Sequence, residues 1–203
     1  MKRPDGYDDA KVQGEFTPVE LGGHKMIIKQ VSERQNKNGG DMIVVLFDFA
    51  QDDAQAGYFM KQFQDDIRPE KKWPNQATKY INVNDNEGKC SSAFKTFCTC
   101  VEHSNAGFES FKKNGDFDIA GFKNKKVGGV FGEEMDYYNG EEKKKRVLRW
   151  FLSMDKVADA QIPNLSETKA YKEWAAGGGQ STSSSTDGFM NIPDGIDEEL
   201  PFN

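Results

Sequence analysis

The sequence predicts a mainly β domain with one or two helices and an inserted segment over residues 1–176, followed by an acidic tail over 177–203. Apolar residues alternate along several stretches bounded by Gly- and Asn-rich turns, the pattern of half-buried strands joined as hairpins. Between them lies one 3.6-residue stripe, Phe94, Phe97, Cys98 and Val101, the spacing of a single buried helix face. From Gly177 onward the chain turns to Gly, Ser and Thr, with five acids and no Lys or Arg. Such a segment buries too little apolar surface to offset the entropy of ordering.

Residues 1–15 are polar and expected to be loose. Lys25 to Glu33, with Met26, Ile27, Ile28 and Val31, reads as a first strand, and Gln35 to Gly40 as a polar loop. Asp41 to Phe49 is a second strand, with Met42, Val44 and Leu46 on one face and Ile43, Val45, Phe47 and Phe49 on the other. Residues 52–76 read as an insert with helical pieces: Tyr58, Phe59 and Phe63 share one side of a short helix before Pro69 and Pro74 interrupt it. Thr78 to Val83 is a third strand. Ser91 or Ser92 caps the helix that carries the apolar stripe, and Asn105-Ala106-Gly107 stops it. Lys126 to Tyr138 is a fourth strand, whose Gly128, Gly129 and Gly132 suit a sharp bend or bulge. Asn139-Gly140 is the strongest hairpin signal in the chain. Lys143 to Met154 is a fifth strand, with Leu148, Trp150 and Leu152 on one face and Val147, Arg149 and Phe151 on the other. Ser166 to Ala176 is expected to form a short closing helix. Three strands, a helix and two strands is the order of an OB-fold, a five-stranded Greek-key barrel that binds oligonucleotides.

All 27 basic residues and 28 of the 33 acidic ones lie in 1–176. The body is therefore near neutral, the tail supplies most of the net charge of −6, and acidity is no argument against a polyanionic ligand. No run approaches the ~20 apolar residues of a membrane span. Met1 to Gly6 has charge but no apolar stretch behind it, so no signal peptide is expected. Three cysteines, Cys90, Cys98 and Cys100, fit free thiols in a reducing cytoplasm.

Enzymatic chemistry finds little support. On a helix Cys98 and Cys100 point about 200° apart, so they do not chelate one zinc ion with His103 and Cys90. His24 and His103 stand alone, and no Gly-rich loop ends in Lys-Ser or Lys-Thr. Asp65-Asp66 and Glu133-Glu134 are adjacent pairs whose side chains diverge. Neither a metal nor a cofactor is expected.

The tail ends Asp197-Glu198-Glu199-Leu200-Pro201-Phe202-Asn203. Acids steer such an arm to a basic groove, and an apolar tip fills a pocket there. This resembles the acidic tip of bacterial and phage single-stranded-DNA-binding proteins, several acids followed by an aliphatic residue, Pro and Phe. It departs at Asn203, where that family usually ends on the Phe. The stretch from Gly22 to Phe49 is also similar in pattern to phage-encoded single-strand binders. The resemblance implies a protein of a phage or mobile element, acting in the bacterial cytoplasm, that protects single-stranded DNA during replication or recombination. Its partners would be replication and recombination proteins, docked on Asp197, Glu198, Glu199, Leu200, Pro201 and Phe202.

A single strand is held by cations along its phosphates and aromatic rings beneath its bases. The candidates are Arg34 and Lys37 in the first hairpin, Lys79 and Tyr80 on the third strand, and Tyr137 and Tyr138 at the last hairpin. Lys143, Lys144, Lys145, Arg146 and Arg149 follow on the fifth strand. The same lysine run also fits a solvated hairpin end balanced by Glu141 and Glu142. Trp73, in a polar proline-flanked loop, is expected exposed and ready to stack, whereas Trp150, Phe47 and Phe49 are expected in the core. The alternative function is an interaction protein that binds no nucleic acid, whose tail competes for host proteins. A strand-annealing recombinase would need ring or filament assembly, of which the sequence carries no sign.

Overall fold

The computed structural model describes residues 3–5, 7 and 17–177. The tail tip, with the candidate partner residues 197–202, lies outside them. The elements are β1 (Gly22–Gln35), β2 (Asp41–Phe49), α1 (Tyr58–Gln64), β3 (Thr78–Asn82), α2 (Ser92–Ser104), β4 (Lys126–Tyr138), β5 (Glu141–Leu152), β6 (Ser166–Glu167) and α3 (Lys169–Ala176). The fold is mainly β. Five strands form an antiparallel sheet in the order β3-β2-β1-β4-β5, and the two-residue β6 pairs parallel to β4.

Apolar residues of β1 and β2 face α2 across one core. β2 buries Ile43, Val45, Phe47 and Phe49 in it, the set that strict alternation selects. β1 buries Met26 and Ile28, and then Val31, because Lys29 is an extra residue between the pairs Ile28–Phe47 and Gln30–Leu46. This bulge moves the core positions from even to odd numbers. α2 begins at Ser91, whose hydroxyl accepts the Phe94 amide at 3.1 Å, and it turns Phe94, Phe97, Cys98 and Val101 inward. Phe97 stacks on Phe122 at 5.3 Å between ring centres and meets Phe151 edge-on at 4.9 Å.

The insert contains α1, held to the sheet by one buried carboxylate. Asp48 is 1% exposed and accepts the amides of Phe49 and Phe59 at 2.9 Å and Met60 at 3.3 Å. Burial raises its pKa above the ordinary carboxylate value, while these three amides and Lys29 pull the other way.

Two expectations for the second half need correction. The register break between β4 and β5 falls where Val130 pairs with Trp150 and Phe131 with Leu148, so the extra residue is Arg149 on β5. The expected alternation of β5 therefore fails: Leu148 and Phe151 are both buried, and Trp150, expected in the core, is 43% exposed. The glycines of β4 serve close packing. Added Cβ atoms would lie 2.5 Å from Val157 Cγ2 at Gly128, 2.4 Å from Met26 Cε at Gly129 and 2.4 Å from Pro163 Cγ at Gly132. Residues 154–165 cross the sheet as a strap that meets Gly23, Gly128 and Gly132, while Gly129 faces Met26 and Leu148.

Ser166 to Ala176, expected as one helix, divides in two. Ser166 and Glu167 form β6 beside Glu134 and Met135, just beyond the point where β1 stops pairing with β4 at Phe131. Thr168 then caps α3, its hydroxyl oxygen accepting the Tyr171 amide at 3.2 Å.

Gly23 makes the tightest contact with the strap, since a Cβ there would lie 2.2 Å from the Val157 carbonyl oxygen. Gly23→Ala is expected to destabilise the protein by about 1–3 kcal/mol, the range for overpacking. Gly129→Ala is expected to cost less, because the atoms it meets are methyl ends of Met26 and Leu148. Urea unfolding of both variants checks this; an unaltered Gly23→Ala midpoint would mean the strap does not pack on β1.

Candidate nucleic-acid interface

β3 and β5 are the two edges of the sheet, and side chains rather than a backbone ladder join them. Lys79 Nζ donates to the Leu148 carbonyl at 2.8 Å, and Gln76 Nε2 donates to the Arg146 carbonyl at 2.5 Å. Lys79 alternates with Thr78 and Tyr80 and so shares the inward side of β3 with the core residue Ile81. Burial lowers its pKa; Glu134 opposes that shift and Arg149 adds to it. An inward charge on an edge strand also discourages pairing with another chain.

The open seam forms a groove of about 460 Å³ lined by Gln76, Lys79, Tyr80, Glu134 and Arg149 among others. It brings together three of the residues expected to bind nucleic acid: Lys79, Tyr80 and Arg149. Tyr80 is 58% exposed on the outer face. Register places Tyr80 beside Val44 and Ser32, and Asn82 beside Met42 and Arg34. Tyr80 and Arg34 thus share the outer surface of the same three strands.

The remaining candidates are spread more widely. β1 and β5 run in the same direction, so the β1–β2 and β4–β5 hairpins leave the sheet at opposite ends. Arg34 and Lys37 are exposed at the first. Asn36 shapes that turn, its Oδ1 accepting the amides of Asn38 and Gly40 at 2.9 Å. At the second hairpin Asn139 and Gly140 have φ of 54° and 82°, the left-handed pair that the Asn-Gly signal calls for. Tyr138 is 61% exposed, with Lys143 Nζ 5.9 Å from its ring centre. Tyr137 is covered by Trp174 of α3, their rings stacked at 4.6 Å.

The lysine run on β5 is paired. Lys143 meets Glu141 at 3.5 Å, Lys144 meets Glu133 at 2.6 Å, and Lys145 binds Asp136. Arg146 Nη1 donates to the Val19 carbonyl at 2.5 Å. Half-exposed ion pairs of this type contribute only about 0–1 kcal/mol, so a phosphate could displace a carboxylate at modest cost. Still, the hairpin carries less unopposed positive charge than the run Lys143 to Arg146 suggests.

Trp73 differs from its expected exposure. It is half-buried against the core, 5.6 Å from the Phe63 ring, and its indole N–H donates to the Ala77 carbonyl at 3.2 Å. The insert folds back on the core of the sheet, and that contact covers the loop. Tyr80 is exposed as expected, and Trp150, which no sequence signal marked, is exposed as well.

Other titratable groups have structural settings. His24 is buried and stacked on Phe49 at 4.3 Å, with Nδ1 3.1 Å from Asp53 Oδ1 and Nε2 3.0 Å from the Glu20 carbonyl. Burial pushes Asp53 up, but His24 and the amides of Gln55 and Lys25 outweigh it and leave the carboxyl below its ordinary value. Burial drives the Cys98 thiol up to about 11 and raises Cys100. Among the described residues there is no cluster of three or more metal-ligating side chains, and no helix is long and apolar enough to cross a membrane.

Asp136 ties the hairpin to the C-terminal elements, accepting from Lys145 and from the Thr168 hydroxyl. Lys145 first, and Thr168 second, hold its carboxyl below the ordinary range. Its contribution to stability is therefore complete above that range and is lost as pH falls through the depressed value. Acid titration is expected to loosen the Tyr137–Trp174 stack and change Trp fluorescence, with the midpoint moved or abolished in Asp136→Asn. An identical acid titration in the variant would show that another carboxylate governs the change.

Comparison with protein-family models and with curated proteins returned no match.

Proposed function

We propose that the protein binds single-stranded DNA through a five-stranded Greek-key barrel of the OB type, and that its acidic tail recruits partner proteins. The observation that carries this reading is the open seam, where exposed Tyr80 stands beside Lys79 and Arg149 in one groove. The strand order β3-β2-β1-β4-β5, with α2 between β3 and β4, supports the barrel assignment. A ring for stacking next to fixed cations is the minimum apparatus for gripping an unpaired strand, and it is tolerant of sequence. Arg34, Lys37, Tyr138 and Lys143 extend the contact surface toward both hairpins. On this reading the protein covers DNA during replication or recombination of a phage or mobile element in a bacterial cytoplasm.

A second reading has an observation of its own. The pairing of Lys143, Lys144 and Lys145 with Glu141, Glu133 and Asp136 favours an interaction protein that binds no nucleic acid. Titration with poly-dT at two salt concentrations separates the two. Binding that weakens with salt is expected, with a slope of about 0.7 in log K against log salt for each phosphate contacted. No gel shift and no Trp quenching at low salt would leave the interaction reading standing.

Removal of residues 197–203 is expected to preserve DNA binding and abolish capture of replication or recombination proteins. Equal recovery of those proteins by full-length and shortened chains in a pull-down would reduce the tail to a solubilising segment.

A further inference from the structure

We propose that Trp150 is a base-stacking platform, and that a bound single strand crosses the seam from Tyr80 over Arg149 into a second groove beside Trp150. This rests on the single-strand-binding reading above and assigns its path. The extra residue Arg149 on β5 turns Trp150 out of the core, leaving it 43% exposed. Its groove has a volume of about 560 Å³ and is lined by Val130, Leu152, Lys156, Gln161, Ile162 and Asn164, with Asp159 also on the wall. The other two tryptophans are occupied, Trp73 with the Ala77 carbonyl and Trp174 with the Tyr137 ring. Trp150 Nε1 makes no hydrogen bond among the described residues, so both the ring face and its donor remain available.

Arg149 joins the two grooves. It lines the seam beside Lys79 and Tyr80, and its Nη1 donates to the carbonyls of Glu133 at 3.3 Å and Asn164 at 3.4 Å. Asn164 is itself a wall of the Trp150 groove. A guanidinium fixed between two exposed aromatic rings matches the alternation of phosphate and base along an unpaired strand. Amides at Gln161 and Asn164 can meet base edges, and Lys156 adds a second cation.

Ile162 and Leu165 are 60% and 52% exposed nearby, which also suits contact with a second copy of the chain. The amides and cations around Trp150 favour the nucleic acid, because the centre of a protein–protein interface is depleted of charged groups.

The test is poly-dT titration of the full chain and of Trp150→Ala and Trp150→Phe, with thermal unfolding to verify the fold. One stack lost should weaken Trp150→Ala about 5- to 150-fold, equivalent to about 1–3 kcal/mol. Trp150→Phe should retain most of the affinity but lose most of the Trp quenching. In the unmodified protein, photocrosslinking to an iodouracil-substituted oligonucleotide should label Trp150 itself. If the unmodified chain binds poly-dT but Trp150→Ala binds equally well and the label falls elsewhere, the proposed path is wrong while single-strand binding survives. If the unmodified chain does not bind at all, both fail. A change in sedimentation from dimer to monomer in Trp150→Ala, with unchanged DNA affinity, would assign the patch to a second copy and overturn the path.

Discussion

The sheet has two edges that approach each other without a backbone ladder, and this open seam sets the rest of the surface. Closing it with side chains costs less precision in register than a ladder would, and it leaves room between β3 and β5. Lys79 meets the conflicting demands of that position. Its aliphatic stem covers apolar surface, and its ammonium ends on the Leu148 carbonyl, so a cation sits where a buried strand would ordinarily place an apolar residue. Burial weakens its hold on the proton, while Glu134 restores part of it. The groove and its cations thus follow from one unpaired strand edge.

The two halves of the sheet are fastened by different means. On the β2 side a single carboxylate, Asp48, gathers three amides and docks α1. Hydrogen bonds to a charged acceptor are roughly twice as strong as neutral ones, and they offset part of the desolvation that raises its pKa. On the β4 side, fastening is by close approach. Small residues at Gly23, Gly128 and Gly132 admit the strap, and β6 occupies the place beside β4 that β1 vacates.

Much of the fold was legible in the sequence because its signals were local. β2 and β4 have the bounds that alternation and Asn-Gly imply, and α2 buries the four residues of its stripe. What escaped depends on partners distant in sequence. An extra residue at Lys29 or Arg149 changes nothing in a strand's own pattern until a neighbour's register is known, yet it decides which side of the sheet every later residue faces. Trp150 was misassigned for that reason. Trp73 was misjudged because its cover comes from the returning insert. Along the chain only Glu141 and Glu142 were in view as balancing charges for the lysines of β5, whereas Glu133 and Asp136 reach Lys144 and Lys145 from the adjacent strand. Tyr80, Lys79 and Arg149 were each expected to bind, but only the seam explains why they converge.

The cysteines differ in accessibility in a way that equips the molecule with its own reporter position. Cys98 is buried with its thiolate disfavoured and Cys100 is half-buried, whereas Cys90 is exposed. Cys90 also lines a groove of about 620 Å³ together with Arg34 and Met42, at the β1–β2 end of the sheet. Thiol-directed alkylation under mild conditions is thereby channelled to one position, at the opposite end of the sheet from the β4–β5 hairpin. A dye attached there without any engineered residue would view occupancy of the outer surface from the side remote from Trp150.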